Sequence, residues 1–302
     1  MPSKIFRYQF LSDTFIMFSR IRSSASRFKN LPKRFESSTN YQPPTENKTH
    51  FGFQTVDEDA KSSKVHAVFE SVASSYDLMN DAMSFGIHRV WKDTFMLRMS
   101  PTPGTKLLDV AGGTGDIAFR YLNFLKSETS FSDNKMKSSV TVSDINQAML
   151  DVGKRRADKL GFITGEDIDW LLADAENLPI EDETYSAYTI AFGIRNVTHI
   201  DKVLDEAYRV LKPGGRFMCL EFSHVNNEAL QWMYDQYSFQ MIPVMGQVIA
   251  GEWKAYQYLV ESIRKFPNQE NFKEMIQAAG FSQVTYENMT FGVVAIHSAF
   301  KL

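Results

Sequence analysis

Residues Leu107–Asp116 read LLDVAGGTGD. A short apolar run, Lys106–Ala111, leads into glycines at 112, 113 and 115, and an amphipathic stretch follows. That order predicts a buried strand, a tight turn and a helix. Without Cβ atoms, Gly112, Gly113 and Gly115 let the backbone turn sharply and approach a ligand closely. A dinucleotide fingerprint would be G-x-G-x-x-G, seating a pyrophosphate on the helix N-terminus. Here Gly113-Thr114-Gly115 runs straight into Asp116. A carboxylate at that helix start opposes a pyrophosphate.

The same alternation continues on both sides. Apolar strand patterns recur at Val140–Asp144, Asp169–Ala173, Ala187–Phe192 and Arg216–Phe222. Between the last two, Thr198–Leu211 places Ile200, Val203, Leu204, Ala207 and Leu211 on one helical face. Thr198 and Asp201 suggest a capping pair, and Pro213-Gly214-Gly215 a stop. Asn268–Gly280 repeats the device, with Asn268 as cap and Phe272, Met275, Ile276 and Ala279 inward. Strand–helix alternation predicts an α/β fold, a mostly parallel sheet with helices on both faces. The last two strands, Phe281–Glu287 and Gly292–Phe300, have no helix between them. So short a connection cannot join parallel strands, so they form an antiparallel edge hairpin and complete a seven-stranded sheet. The polar stretch Ser127–Ser139 reads as a surface loop.

In an open parallel sheet, ligands bind beyond the carboxyl ends of the strands. Asp144 ends the second strand, where an acidic side chain can hold both hydroxyls of a ribose. Asp174-Ala175 follows the third strand, placed for an adenine edge, and Phe192-Gly193 ends the fourth. Asp116 is suited to a cationic amino group, as on the methionine end of S-adenosyl-L-methionine.

The chain has 302 residues, 43% hydrophobic and 23% charged, with a mean hydropathy of -0.28. This is a globular composition. A net charge of -3 argues against nucleic acid as a partner. The single cysteine, Cys219, excludes a disulfide framework or a cysteine-based metal cluster, and reads as a core residue. Residues 1–36 carry Lys4, Arg7, Arg20, Arg22, Arg27, Lys29, Lys33 and Arg34 against Asp13 and Glu36. A basic, Ser-rich, acid-poor leader predicts a mitochondrial transit peptide. Residues 37–50, with Pro43-Pro44, read as a linker, and 51–302 as one domain. Within it, 225–267 is a long insertion rich in Met and aromatics, read as a substrate channel or a dimer interface. It includes a charge-free run, Gln236–Gly251, suited at most to a membrane surface.

Longer strings give the chain a family resemblance. YDLMNDAMSFGIHRVWK (Tyr76–Lys92), LLDVAGGTGD, SDINQAML (Ser143–Leu150), ADAENLP (Ala173–Pro179), FGIRNVT (Phe192–Thr198), VLKPGGR (Val210–Arg216), LEFS (Leu220–Ser223) and YLVESIRKFP (Tyr258–Pro267) resemble the ubiquinone/menaquinone biosynthesis C-methyltransferases. The glycine loop and VLKPGGR occur in many methyltransferases; the YDLMND…GIHR, FGIRNV and ESI…FP strings are more specific. The resemblance implies a class I, Rossmann-like methyltransferase fold with S-adenosyl-L-methionine as cofactor and no metal. It implies C-methylation of a methoxy-polyprenyl-benzoquinol on the way to ubiquinone, with another lipophilic quinol or a scaffold role in a quinone-synthesis complex as alternatives. Assembly with other enzymes of that pathway and peripheral contact with the matrix face of the inner mitochondrial membrane are implied as well. Carried over by position, Thr114, Asp144, Asp174 and Ala175 match the family's cofactor-binding positions, and the loop's own chemistry adds Gly112, Gly113, Gly115 and Asp116 as cofactor-binding candidates. Ala191 stands where the family often has a serine, and Glu252 where it often has an aspartate. A ring-carbon nucleophile needs its phenol ionised, which requires charge stabilisation and a proton acceptor. Arg195 is the candidate for the charge, with Asn196 and Tyr76 holding a relay water. His199 is the titratable alternative, better suited to a structural role, and His88 and Arg89 shape the lid or bind the head group.

Overall fold

The computed structural model describes residues 47–72, 76–129 and 138–302, and at 76, 77, 128 and 129 the backbone alone. The leader 1–36 and most of the linker lie outside the described residues, as do 130–137 of the polar stretch. The chain from Pro44 onward forms one compact unit.

The glycine-loop strand is β3 (Lys106–Val110), central in a seven-stranded sheet of order β5-β4-β3-β6-β7-β9-β8. Its neighbours are β4 (Ser139–Asp144) and β6 (Tyr185–Ala191); β5 (Ile168–Leu172) and β7 (Leu211–Phe222) lie beyond them, all parallel. The last two strands, β8 (Ser282–Met289) and β9 (Val294–Phe300), pair antiparallel, with β9 against β7 and β8 at the edge. The expected edge hairpin is therefore present.

Two-sided burial explains why these strands read as continuous apolar runs. On β3, Leu107 faces the core that holds Trp91, Phe95 and Phe119, whereas Leu108 faces the one that holds Tyr188, Leu204 and Phe272. On β7, Met218 and Leu220 join the first core, and Phe217 and Cys219 the second. Cys219 is fully buried, as expected of a core thiol.

The covering helices are α4 (Asp116–Thr129), α5 (Gln147–Leu160), α6 (Ile200–Val210) and α10 (Gln269–Ala278). Asn268 caps α10 as its position predicts, accepting from Asn271 N at 2.9 Å. The cap expected for α6 is different. His199, not Thr198, occupies the N-cap position and makes no side-chain cap bond. Glu176, from the loop after β5, accepts instead from the backbone N–H groups of Thr198 (2.7 Å) and His199 (2.9 Å). A carboxylate from elsewhere in the chain satisfies the orphan donors, which no local pattern reveals.

A helical cap covers one end of the sheet. It comprises α1 (Glu58–Val72), α2 (Tyr76–Ser84), α3 (Ile87–Met99), and, from the insertion, α7 (Glu228–Gln236), α8 (Ile242–Ala250) and α9 (Trp253–Lys265), with a π turn at Tyr237–Met241. Its own small core joins Val72, Met79, Ile242, Tyr256 and Val260. The linker reading is corrected at its end. Lys48–Phe51 is a strand, β1, paired antiparallel with β2 (Gln54–Asp57). Phe51 stacks on Tyr258 of α9 at 4.1 Å, so an aromatic contact distant in sequence anchors a segment that is locally polar.

His297 on β9 is buried between Phe272 and Tyr286, and its Nε2 donates to Gln269 O at 3.0 Å. Burial pulls its pKa down to about 4. The unfolded chain therefore binds this proton more tightly, and stability falls as the solution is acidified from pH 6.5 to about 4. Equilibrium urea titrations across that window should give a shallower slope for His297→Gln than for the wild type; equal slopes would contradict the assignment.

Candidate active site

The strand order reverses beside β3, and the crevice at the carboxyl ends of β3, β4 and β6 is the expected binding position. Each predicted cofactor residue lies along it. Asp144 closes the glycine loop onto β4: Oδ2 accepts from Gly113 N at 2.9 Å and Oδ1 from Asn146 N at 2.8 Å. Its carboxyl is buried, which raises its pKa against these backbone donors. Thr114 is buried and its hydroxyl meets Arg156 at 2.7 Å. Asp174 shapes its own turn by accepting from Glu176 N at 2.9 Å, with Ala175 half-buried beside it. Gly193 is required by contact: a Cβ there would lie 2.4 Å from Ala111 Cβ, where the ends of β3 and β6 meet.

Asp116 is already paired. Lys92 Nζ lies 2.7 Å from Oδ2, Arg120 pairs with Oδ1, and Arg156 lies 3.8 Å away. These cations hold its carboxyl well below the usual range. The unmet acceptor is elsewhere. Asp109 on β3 is fully buried; Oδ1 accepts from Thr189 Oγ1 at 2.8 Å, and Oδ2 has no partner. Burial pushes this carboxyl up to about 7. A Cβ on Gly112 would lie 2.8 Å from that Oδ2, so the bare glycine leaves space directly above it. An acid inside the apolar string KLLDVA was the available sequence signal, because a buried carboxyl requires a partner.

A second cavity, of about 120 Å³, opens between the sheet ends and the cap. Trp91, Phe192 and Phe222 form an aromatic wall, with Phe192 and Phe222 centroids 4.9 Å apart. His88, Lys92, Arg195 and Tyr258 supply its polar groups. Arg195 is 6% exposed, and its guanidinium lies 5.4 Å from the Phe222 ring centroid. Nη1 donates to Glu221 Oε1 at 2.9 Å and to Phe192 O, whereas Nε has no partner. Glu221, 1% exposed on β7, also accepts from Phe222 N at 2.8 Å. Burial raises its pKa and Arg195 opposes that shift. Glu221, like Asp109, is a candidate that the sequence reading passed over, although LEFS showed an acid in a buried strand.

Asn196 lies beside Arg195, and its Oδ1 accepts from Tyr258 Oη at 3.0 Å. Tyr76 lies in α2, but its side chain falls outside what is described. His199 is held between Glu176 (2.7 Å) and Glu58 (3.3 Å), outside the cavity lining and in the structural role expected of it. Lys61, buried on α1, donates to Val197 O at 2.7 Å and so braces the Arg195 loop; burial lowers its pKa to about 8. His88 lines the cavity, whereas Arg89 turns away to pair with Asp81 at 2.6 Å. Among the described residues, no His, Cys, Asp and Glu grouping could hold a metal.

Residues 57–301 match the family model described as the ubiE/COQ5 methyltransferase family. The chain is 66% identical to the mitochondrial 2-methoxy-6-polyprenyl-1,4-benzoquinol methylase of Drosophila melanogaster, over 85% of this chain and 86% of that one. It is 58% identical to the Homo sapiens protein of the same name, over 84% of each chain. Among solved structures, a SAM-dependent methyltransferase from Thermotoga maritima shares the fold at 17% identity and a TM-score of 0.52, covering 79% of this chain and all of that one.

Proposed function

This chain belongs to the ubiE/COQ5 methyltransferase family and is an S-adenosyl-L-methionine-dependent methyltransferase; from that premise we propose that it C-methylates 2-methoxy-6-polyprenyl-1,4-benzoquinol in ubiquinone biosynthesis. The observation that carries this reading is the Arg195–Glu221 pair at an aromatic cavity that is also lined by Lys92, itself paired with Asp116 at the end of the glycine loop.

The acceptor's substitution pattern sets the chemistry. The 1-hydroxyl is flanked by the methoxy and polyprenyl groups, so ionising it loads charge only onto substituted carbons. The two free ring carbons are both ortho to the 4-hydroxyl. The enzyme must therefore ionise the 4-hydroxyl. When bound, S-adenosyl-L-methionine supplies a sulfonium methyl electrophilic enough for displacement without a metal.

The chain's residues divide the remaining tasks. Asp144 takes the ribose hydroxyls, Asp174-Ala175 the adenine edge, and the 112–115 backbone lies along the methionine end. Asp109 Oδ2, a buried acceptor lacking a donor, suits the ammonium. Lys92, Arg120 and Arg156, three cations around one carboxylate, suit the methionine carboxylate, so Asp116 serves as their organiser. Arg195, pinned by Glu221 and permanently charged, stabilises the 4-phenolate. Asn196 lies next to Arg195, and its Oδ1 is occupied by the hydroxyl of Tyr258, which lines the cavity.

On its cap side the cavity is lined by Val72, Met83, Tyr237, Ile242 and Leu259, apolar surface suited to the polyprenyl tail. The cap's outer face carries Leu78, Phe85, Trp232 and Val248, all at least half exposed, and α8 has no charged residue. Among the described residues, no helix is long and apolar enough to cross a membrane. Peripheral contact with the matrix face of the inner mitochondrial membrane follows as part of this proposal, with residues 1–36 as the transit peptide; assembly with other enzymes of the pathway or as a homodimer rests on the resemblance alone. The acceptor chemistry is tested with two blocked short-tailed quinols. The 1-O-methyl ether should be methylated and the 4-O-methyl ether should not; turnover of the 4-O-methyl ether would reject the reading.

A further inference from the structure

Phenolate formation requires a proton acceptor, and neither Arg195 nor Asn196 provides one. Arg195 is always protonated, and the Asn196 carbonyl is occupied by Tyr258. We propose that His88 is the general base that removes the acceptor's 4-hydroxyl proton, with Asp81 as the residue that orients it. The proposal deepens the quinol reading above and rests on it.

His88 follows the Gly86 turn into α3 and lines the acceptor cavity. It is 7% exposed. Its Nε2 lies 2.8 Å from Asp81 Oδ1. Asp81 is in turn gripped by Arg89, through Nε at 2.7 Å and Nη2 at 2.6 Å. Those bonds hold the Asp81 carboxyl ionised, far below its ordinary range. An ionised carboxylate only accepts, so Nε2 carries the ring proton and Nδ1 keeps its lone pair. Nδ1 is buried and has no partner. A carboxylate on one imidazole nitrogen and an unpartnered lone pair on the other is the arrangement that prepares a histidine to take a proton.

The charged groups acting on the ring are Asp81, Lys92 and Asp116. Burial is the largest influence and lowers the imidazole pKa, which keeps the ring unprotonated, with a lone pair free to accept a proton, at neutral pH. In the transfer, the phenol O–H bond breaks and its electron pair stays on oxygen beside Arg195. An N–H bond forms on Nδ1, and the resulting imidazolium keeps its Nε2 proton on Asp81. After the ring carbon takes the methyl, its C–H bond breaks and that proton restores the 4-hydroxyl; the proton on His88 leaves to solvent, so one proton is released for each ring hydrogen replaced by methyl.

The test uses the full chain and His88→Gln, whose amide can still donate to Asp81. Expected is a loss of roughly 10²–10³-fold in kcat, with S-adenosylhomocysteine affinity unchanged. The acid limb of the wild-type pH–rate profile, which lies below the ordinary imidazole value of 6.5, should disappear in the variant. A merely structural role would lower the rate and leave that limb in place. Activity within about threefold of wild type, or a retained limb, would overturn the proposal. A second readout needs no turnover. Long-range ¹⁵N NMR of the wild type should show His88 as the neutral Nε2–H tautomer at neutral pH; the Nδ1–H tautomer, or an imidazolium, would equally overturn it. A wild-type enzyme inert toward the quinol but showing the Nε2–H tautomer would reject the acceptor and leave the base assignment standing.

Discussion

Arg195→Ala should lower kcat for the reduced quinol by about 10²–10³-fold, the usual effect of removing a preorganised group that faces developing charge. Affinity for S-adenosylhomocysteine should stay within about twofold, because no cofactor residue touches the Arg195 guanidinium. The substitution also strands Glu221, which is 1% exposed. Breaking a buried pair by removing one partner costs about 3–5 kcal/mol, so the variant is also expected to melt earlier. The double variant Arg195→Ala/Glu221→Gln removes the stranded charge. It should recover stability without recovering turnover, separating the chemical role of Arg195 from its structural one. Arg195→Lys keeps a charge but lacks the planar, delocalised guanidinium whose Nη1 meets Glu221 and Phe192 O, so it should restore only part of the rate. Unchanged turnover in Arg195→Ala would remove this residue from the mechanism.

Asp144→Ala should weaken S-adenosylhomocysteine binding by roughly 10²-fold or more, as read by calorimetry. Two effects combine. The carboxylate holds Gly113 N and Asn146 N, at 2.9 and 2.8 Å, and thereby sets the shape of the glycine loop. It is also the acceptor offered to the ribose. Hydrogen bonds to a charged group are worth about 1.5–3 kcal/mol each, and losing two gives that magnitude. Asp144→Asn keeps one acceptor and should lose about tenfold. Burial raises the Asp144 pKa, so affinity should fall in acid sooner than an ordinary carboxylate would allow. Wild-type affinity in Asp144→Ala would move the ribose site elsewhere.

The sheet was legible because the inner parallel strands β3, β6 and β7 are buried on both faces and read as apolar runs. Asp144 and Asp174 were legible because strand ends in this topology face the ligand crevice. What the sequence hid depends on contacts distant along the chain. Lys48–His50 looks like linker, and it is pairing with Gln54–Asp57 and the stacking of Phe51 on Tyr258 of α9 that hold it as a strand. The cap of α6 comes from Glu176, two dozen residues upstream. Asp116 looked free to receive an ammonium, but Lys92, Arg120 and Arg156 converge on it from three helices. The missed acids, Asp109 and Glu221, share one sequence sign: a carboxylate within an apolar strand. Burial makes such a group costly unless it is paired, so each marks a place where a partner is required. Arg195 provides it for Glu221; for Asp109 Oδ2 we propose that the cofactor's ammonium does.

The most direct test is the fate of the methyl group. The full chain is incubated with methyl-labelled S-adenosyl-L-methionine and a short-tailed 2-methoxy-6-prenyl-1,4-benzoquinol kept reduced, and the product is resolved by NMR. The account predicts label on a ring carbon ortho to the 4-hydroxyl, and none when the acceptor is supplied as the oxidised quinone. Label on oxygen, or equal transfer to the quinone, would contradict it.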